Sequence, residues 1–218
     1  MKLIDLHEKL KNHIIKQNEN WKSVVYAKEK GFYQGYDKIK LNGWRPSELR
    51  FDSYDIKKYL DKEKIGLDIG SNCGFFTLHV SDYLKSMDGV EINPYLVDIS
   101  KDTKEYLKIK NSTFYNCSFE NFKTNKKYDI IFSLANDSTI DGNTKFNFSE
   151  YIQKIIRLLS RNGIIIFESQ AMDMMPPSKF DPKLNYLKEY FSIIDDRFVI
   201  SEYPVNVPYR KFLILKLN

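Results

Sequence analysis

Ile65-Gly66-Leu67-Asp68-Ile69-Gly70-Ser71-Asn72-Cys73-Gly74-Phe75-Phe76-Thr77-Leu78 decides how this chain folds. A short apolar run ends in an acid, a glycine-containing turn follows at once, and an apolar segment with helical spacing comes next. The pattern is strand, tight turn, helix. At such a turn the backbone N–H groups and the positive end of the helix converge, so a ligand can sit there. Gly70 and Gly74 lack a Cβ and let a ligand approach the backbone. Asn72, between them, is a residue type that tolerates a left-handed conformation. The dinucleotide fingerprint Gly-x-Gly-x-x-Gly is not met, because Gly70 and Gly74 are the only glycines of the turn.

About twenty residues on, the strand expected near Met87–Ile92 places Glu91 at its carboxyl end. Asn93 and Pro94 then supply an N-cap and a first helical residue. An acid at that spacing reads ribose hydroxyls in nucleotide-binding α/β folds. Helix Tyr95–Ile109 and strand Ser112–Cys117 follow, then Asn116-Cys117-Ser118-Phe119-Glu120. The apolar run from Tyr128 to Ala135 suits a strand covered on both faces, and it ends in the polar pair Asn136-Asp137. Asn147 and Glu150 form a capping pair for an amphipathic helix through Leu159. Arg161-Asn162-Gly163 reads as its stop, and Ile164–Phe167 as a strand ending in Glu168.

Near the carboxyl terminus, a helix at Lys183–Tyr190 precedes two β-rich runs, Phe191–Glu202 and Tyr209–Leu217. Only six residues join these runs, too few for a helical crossover, so the last strand must be antiparallel to its neighbour. Strands alternating with helices predict a parallel sheet flanked by helices.

Together, Asp68-x-Gly70-x-x-x-Gly74, Glu91, Asn136-Asp137 and the terminal hairpin resemble the class I S-adenosylmethionine-dependent methyltransferases. Asn72 stands where that family's first motif has a glycine. The resemblance spans residues 48–218 and implies a Rossmann-like α/β fold. Its sheet would be mostly parallel and seven-stranded with an antiparallel last strand, and residues 1–47 would form a helical extension or lid. It implies S-adenosylmethionine as cofactor, with the methionine half over Asp68, Gly70, Asn72 and Gly74 and the ribose on Glu91 beside Ile92. The adenine would lie near Cys117, Ser118 and Phe119. Cys117 or Ser118 stands where the family often has an acid, so Phe119 stacks on the base or belongs to the core. Leu134 and the loop after it would border the reacting methyl.

Ahead of the motif, Leu3, Leu6, Leu10, Ile14 and Ile15 predict a helix in a helical region extending to residue 30, with Trp21, Val24 and Val25 continuing its face. Ser47 is expected to cap a second helix running to about Leu60. Arg45 and Arg50 bracket the start of that helix beside Trp44, where two guanidiniums can hold the cofactor carboxylate or an anionic acceptor.

Asp137 and Glu168, at strand ends, are the candidate catalytic bases for an alcohol acceptor, Asp137 first. Asp141 lies nearby; Asp137, Asp141 and Asp173 can hold a divalent cation, but loop acids are common and no metal is assigned. His7, His13 and His79 lie on helices and carry no expected role.

The composition bounds the partners. The chain has 218 residues and a net charge of +5, carried by scattered lysines. That charge suits an anionic substrate and gives no clustered nucleic-acid patch. No apolar run reaches the length of a membrane span, the amino terminus lacks a signal-peptide core, and Cys73 and Cys117 lack ligand spacing. The expectation is a cytoplasmic enzyme acting on a small polar acceptor, a hydroxyl of a sugar or nucleotide-linked metabolite. RNA modification and an inactive methyltransferase-like binding module are the alternatives.

Overall fold

A computed structural model describes residues 1–23, 31–137, 142, 144–171, 176–200 and 209–218. Helix α1 (Leu3–Asn20) is followed by the two-residue strands β1 (Gln34–Gly35) and β2 (Arg45–Pro46), which pair in parallel, and by α2 (Ser47–Tyr54). The deciding stretch forms β3 (Ile65–Ile69) and α3 (Phe75–Ser81). Then come β4 (Ser86–Glu91), α4 (Pro94–Tyr106), β5 (Ser112–Asn116), β6 (Tyr128–Leu134), α5 (Phe148–Leu158) and β7 (Leu159–Ala171). Helix α6 (Pro177–Tyr190) and strands β8 (Phe191–Ile200) and β9 (Tyr209–Leu217) complete the chain.

The seven long strands form one sheet in the order β5-β4-β3-β6-β7-β9-β8. Every pair is parallel except those of β9, which inserts between β7 and β8 antiparallel to both. This is the expected Rossmann-like arrangement with its reversed last strand. Strand order changes direction between β3 and β6, so the carboxyl ends of β3, β4 and β6 open onto one crevice.

Alternation within strands assigns the two faces. Leu67, Ile69, Ile131, Ile165 and Phe167 pack against Tyr151, Ile152 and Ile155 of α5 and Phe180 and Leu187 of α6. The opposite parity, Ile130, Phe132, Ile164 and Ile166, packs against Phe51 and Tyr54 of α2 and Phe76 and Val80 of α3. Leu6 and Leu10 of α1 are fully buried with Phe75 and Leu78 of α3 and Val97 and Ile99 of α4. The amino-terminal helix thus shares a core with the sheet domain. Each such fully buried side chain contributes about 1.5–3 kcal/mol.

Several boundaries differ from expectation. Helix α1 ends at Asn20, and Trp21 lies beyond it in extended conformation; Val24 and Val25 lie outside the described residues. Ser47 does not cap α2. It is the first helical residue, and its hydroxyl donates to the Gly35 carbonyl at 2.8 Å, while Asp55 with φ +45° stops the helix after Tyr54. Arg161-Asn162-Gly163 does not interrupt the chain as a turn. It lies within β7, looped out of register between the pairs Tyr128↔Leu159 and Ile130↔Ile164. The caps at Asn93 and Asn147 form as expected: Asn93 Oδ1 accepts from the Tyr95 N–H at 3.0 Å, and Asn147 and Glu150 exchange bonds at 3.0 and 2.9 Å. No described helix is long and apolar enough to cross a membrane.

Candidate active site

The turn after β3 is left-handed at three residues, Gly70 (φ +67°), Asn72 (φ +53°) and Gly74 (φ +72°). Gly74 is required twice over, by its φ and because a Cβ there would lie 2.4 Å from Ser100 Oγ. Asn72 holds its conformation by accepting the Cys73 N–H on its own side chain at 2.8 Å. Ser71 Oγ, beneath the turn, is buried with no hydrogen-bond partner among the described residues.

Glu91 ends β4 beside this turn and is almost fully buried. Its Oε2 accepts the Asn72 N–H at 2.9 Å, and its Oε1 accepts the Asn93 N–H at 2.8 Å. The carboxylate is thereby fixed between the turn and the start of α4. Ile92 follows it, half-buried. Asn116 Nδ2 ties the same corner together by donating to the Glu91 and Ile92 carbonyls at 3.1 and 2.8 Å.

Asp68, the motif acid, points to the opposite side of β3 from Leu67 and Ile69. It is buried and accepts from Thr77 Oγ1 at 2.6 Å. Burial raises its pKa to about 6 against the opposing effects of Thr77 and the Arg50 charge. A folded pKa above the unfolded value near 3.9 means the native state binds the extra proton, so this group costs stability as pH rises from about 4 to about 6. Asp68→Asn is expected to remove that decline, seen as a flatter Tm–pH profile across the interval; a profile parallel to wild type would count against it.

The adenine edge is only partly as expected. Cys117 is half-buried, and its N–H donates to the Glu91 carbonyl at 3.1 Å. Ser118 is buried, and its Oγ accepts from Asn121 Nδ2 at 3.0 Å. Phe119 is fully buried with its ring 5.2 Å from that of Tyr151 and the Lys154 ammonium 5.0 Å over it. It is therefore a core residue and offers no face to a base.

Beyond half-buried Leu134, the β6 end turns through Ala135 at φ +61°. Asn136 donates to the Ile69 carbonyl and accepts from the Tyr151 hydroxyl at 2.6 Å, which clamps the ends of β3 and β6 together. Asp137 is buried; its Oδ2 pairs with Lys183 of α6 at 2.5 Å, and its Oδ1 has no hydrogen-bond partner among the described residues. Asp141 and Asp173 lie outside the described residues.

Glu168, the second expected base, has a different setting. Arg45 grips it bidentately at 3.0 and 3.0 Å, Arg50 Nη2 donates at 3.2 Å, and the Tyr54 hydroxyl donates to Oε2. Arg210 lies 3.8 Å away, brought there by a bulge in the β7–β9 pairing between Glu168 and Ala171. Burial would raise this carboxyl, but Arg45, Arg50 and Arg210 outweigh it and hold it well below the usual carboxylate range. Such a group is a poor proton acceptor, and Glu168 is corrected from base to structural counter-ion. Arg45 and Arg50, expected to hold the cofactor carboxylate or an anionic acceptor, have Glu168 as their first partner within the protein.

Sequence reasoning missed two residues that complete the site from the amino-terminal segment. Gln34 of β1 accepts from the Phe75 N–H at 3.0 Å, the first donor of α3, and donates to the Ser71 carbonyl at 3.4 Å. Gln17 of α1 accepts from Asn93 Nδ2 at 2.8 Å. Lys183 and Tyr54 were also missed. None lies in a motif; each is set by packing between distant segments, and the one trace in the sequence is the position of Gln17, three residues after Ile14 and so in step with the apolar stripe.

Residues 60–198 match the family described as a methyltransferase domain, more than half of the chain. The chain belongs to the class I S-adenosylmethionine-dependent methyltransferases. No curated protein matches the chain. Among solved structures, this methyltransferase is similar to the N-methyltransferase NodS of Bradyrhizobium japonicum in complex with S-adenosyl-L-homocysteine. The TM-score is 0.65 at 11% identity, over 97% of this chain and 98% of that one. It is similar to Trm5b of Pyrococcus abyssi, with a TM-score of 0.60 at 13% identity over 78% of this chain, which spans only 49% of that protein. An rRNA methylase from Streptococcus thermophilus gives 0.56 at 18% identity over 80% of this chain and 98% of that one. These likenesses show the fold.

The residues present fit S-adenosylmethionine: a left-handed turn with an orphaned serine hydroxyl below it, and a buried carboxylate beside it at the strand end. Glu91→Ala is expected to weaken S-adenosyl-L-homocysteine binding by roughly ten- to a hundredfold, since hydrogen bonds to a charged group are worth roughly 1.5–3 kcal/mol. Calorimetry giving an unchanged Kd would remove Glu91 from the cofactor site.

Proposed function

We propose that this protein transfers the methyl group of S-adenosylmethionine to a hydroxyl of a small polar acceptor, a sugar or nucleotide-linked metabolite, in the cytoplasm. The observation that carries the reading is Asp137. It stands at the β6 carboxyl end, where ligands of open α/β sheets lie, with one oxygen held by Lys183 and the other unpartnered among the described residues. When bound, the cofactor supplies a methyl on a sulfonium, open to in-line displacement. Glu91, with Ile92 beside it, is assigned to the ribose, and the turn of Asp68, Gly70, Asn72 and Gly74 to the methionine half. Cys117 and Ser118 border the base, and Leu134 the reacting end. Asp137 takes the acceptor's hydroxyl proton as its oxygen becomes the nucleophile, and Lys183 keeps that carboxylate oriented. The rest of the rate enhancement comes from holding the two reactants together.

Residues 1–47 serve as a cover that the remaining domain, residues 48–218, uses to close the turn through Gln17 and Gln34. A screen with radiolabelled S-adenosylmethionine over nucleotide sugars, small hydroxylated metabolites and unmodified tRNA tests the reading. Label in a small hydroxylated acceptor supports it; label in tRNA alone replaces it with RNA modification.

A further inference from the structure

Beside the cofactor crevice, at the carboxyl ends of β7 and β8, lies a cavity of about 210 Å³ that the mechanism above does not use. Trp44, Pro46, Leu49 and Ile200 give it apolar walls, and Arg45 and Arg50 reach it from within. Both arginines are buried, with Arg50 only 9% exposed. Of the five N–H groups of a guanidinium, Arg50 uses one on Tyr54 and one on Glu168, and its Nη1 has no hydrogen-bond partner among the described residues.

Among the described residues, Arg45 and Arg50 share the carboxylate of Glu168, with Arg210 3.8 Å from it, so positive charge exceeds negative in a desolvated setting. The neighbouring phenol senses the same field. Burial should raise the Tyr33 pKa, yet Arg45, Arg50 and Arg210 together hold it below its ordinary value. Asp68 is the other buried acid in Arg50's field, and Thr77 already engages it.

We infer that this cavity binds the anionic group of the methyl acceptor, a carboxylate or phosphate on an apolar or ring-bearing body, with Arg50 and Arg45 as its donors. The assignment deepens the methyl-transfer reading and rests on it. Guanidinium forks match both oxyanions, and the apolar walls suit a flat or aliphatic body next to the charge. Glu168 acts here as a fixed counter-ion that holds both guanidiniums in place and leaves their remaining N–H groups, the Arg50 Nη1 pair first, to the ligand. Glu168, which holds the two arginines, stands on β7 in register with Leu134 of the adjacent β6, so a ligand anchored there extends along the carboxyl edge of the sheet toward Asp137.

Calorimetry on the full chain with S-adenosyl-L-homocysteine present tests the inference, using phenyl phosphate, benzoate and benzyl alcohol as probes. One or both anions are expected to bind about ten- to a hundredfold more tightly than the neutral alcohol, the value of charge-assisted hydrogen bonds. Which anion binds distinguishes phosphate from carboxylate. Leu49→Glu places a negative charge on the exposed wall without touching the buried pairs, and it is expected to weaken the anion about tenfold or more while Leu49→Lys does not. The S-adenosyl-L-homocysteine Kd should be unchanged in both variants. Equal binding of anion and alcohol, no saturable anion binding, or indifference to Leu49→Glu would overturn the site while leaving the methyl-transfer reading standing. A folded protein that fails to bind S-adenosyl-L-homocysteine would overturn that reading and the acceptor assignment with it.

Discussion

Asp137→Asn lowers turnover by about 10²–10⁴-fold and leaves S-adenosyl-L-homocysteine affinity within a few-fold of wild type. The substitution keeps the shape and removes the proposed proton acceptor. Its oxygen can still accept from Lys183, so the local structure survives. Loss confined to kcat at saturating acceptor, with KM little changed, identifies a group that works in the transition state and not in ground-state binding. Lys183→Ala has a different signature: it leaves the Asp137 carboxylate buried without its cation and frees its rotamer, so the loss of turnover is smaller. Turnover of Asp137→Asn near the wild-type value would show that proximity alone drives the transfer. In that case the acceptor hydroxyl loses its proton to water after the oxygen has attacked.

Glu168→Gln is expected to be the most destabilising single substitution in the site region, by about 3–5 kcal/mol, because it leaves Arg45 and Arg50 buried without their anion. For a domain of this length that corresponds to a fall in Tm on the order of 10 °C. The pH dependence follows from the depressed carboxyl. Its stabilisation is fully present above the unfolded carboxylate value near 4.3 and is lost only as pH falls through the lower folded value. The gap in Tm between wild type and Glu168→Gln should therefore be constant from neutral pH down to about 4 and narrow below it. A gap that narrows with rising pH, or a variant as stable as wild type, would refute the counter-ion role. Its partners predict the same grouping: Arg45→Lys keeps the charge but loses the bidentate fork, and so falls between wild type and Glu168→Gln.

The two carboxylates show how differently sequence position and tertiary setting weigh. Both end an apolar strand in a polar tail, and both read as candidate bases. Asp137, three residues past the end of β6, meets Lys183 of α6, whereas Glu168 shares the parity of Ile164 and Ile166 and so faces α2, where Arg50 and Tyr54 meet it one turn apart. Side-chain parity within β7 was readable in the sequence. That α2 would lie over that face, with Arg45 brought in by β2, was not.

The sequence by itself determined the strand–turn–helix at Ile65–Leu78, the glycine and asparagine positions that the left-handed turn needs, the acid at Glu91 and its cap at Asn93. It also determined the reversed last strand. These features are local: φ angles, capping bonds and connection lengths act between residues close in the chain, so their signal stands in the order of the letters. Only the tertiary structure decided that Arg45 and Arg50 turn to Glu168, more than a hundred residues on, that Phe119 enters the core, and that Gln17 and Gln34 of the amino-terminal segment hydrogen-bond to Asn93 and to the start of α3. Those outcomes depend on which buried charge finds which partner once the sheet and its helices have packed. The cost of leaving a guanidinium or carboxylate unpaired in that interior, several kcal/mol, selects among arrangements that local sequence leaves open.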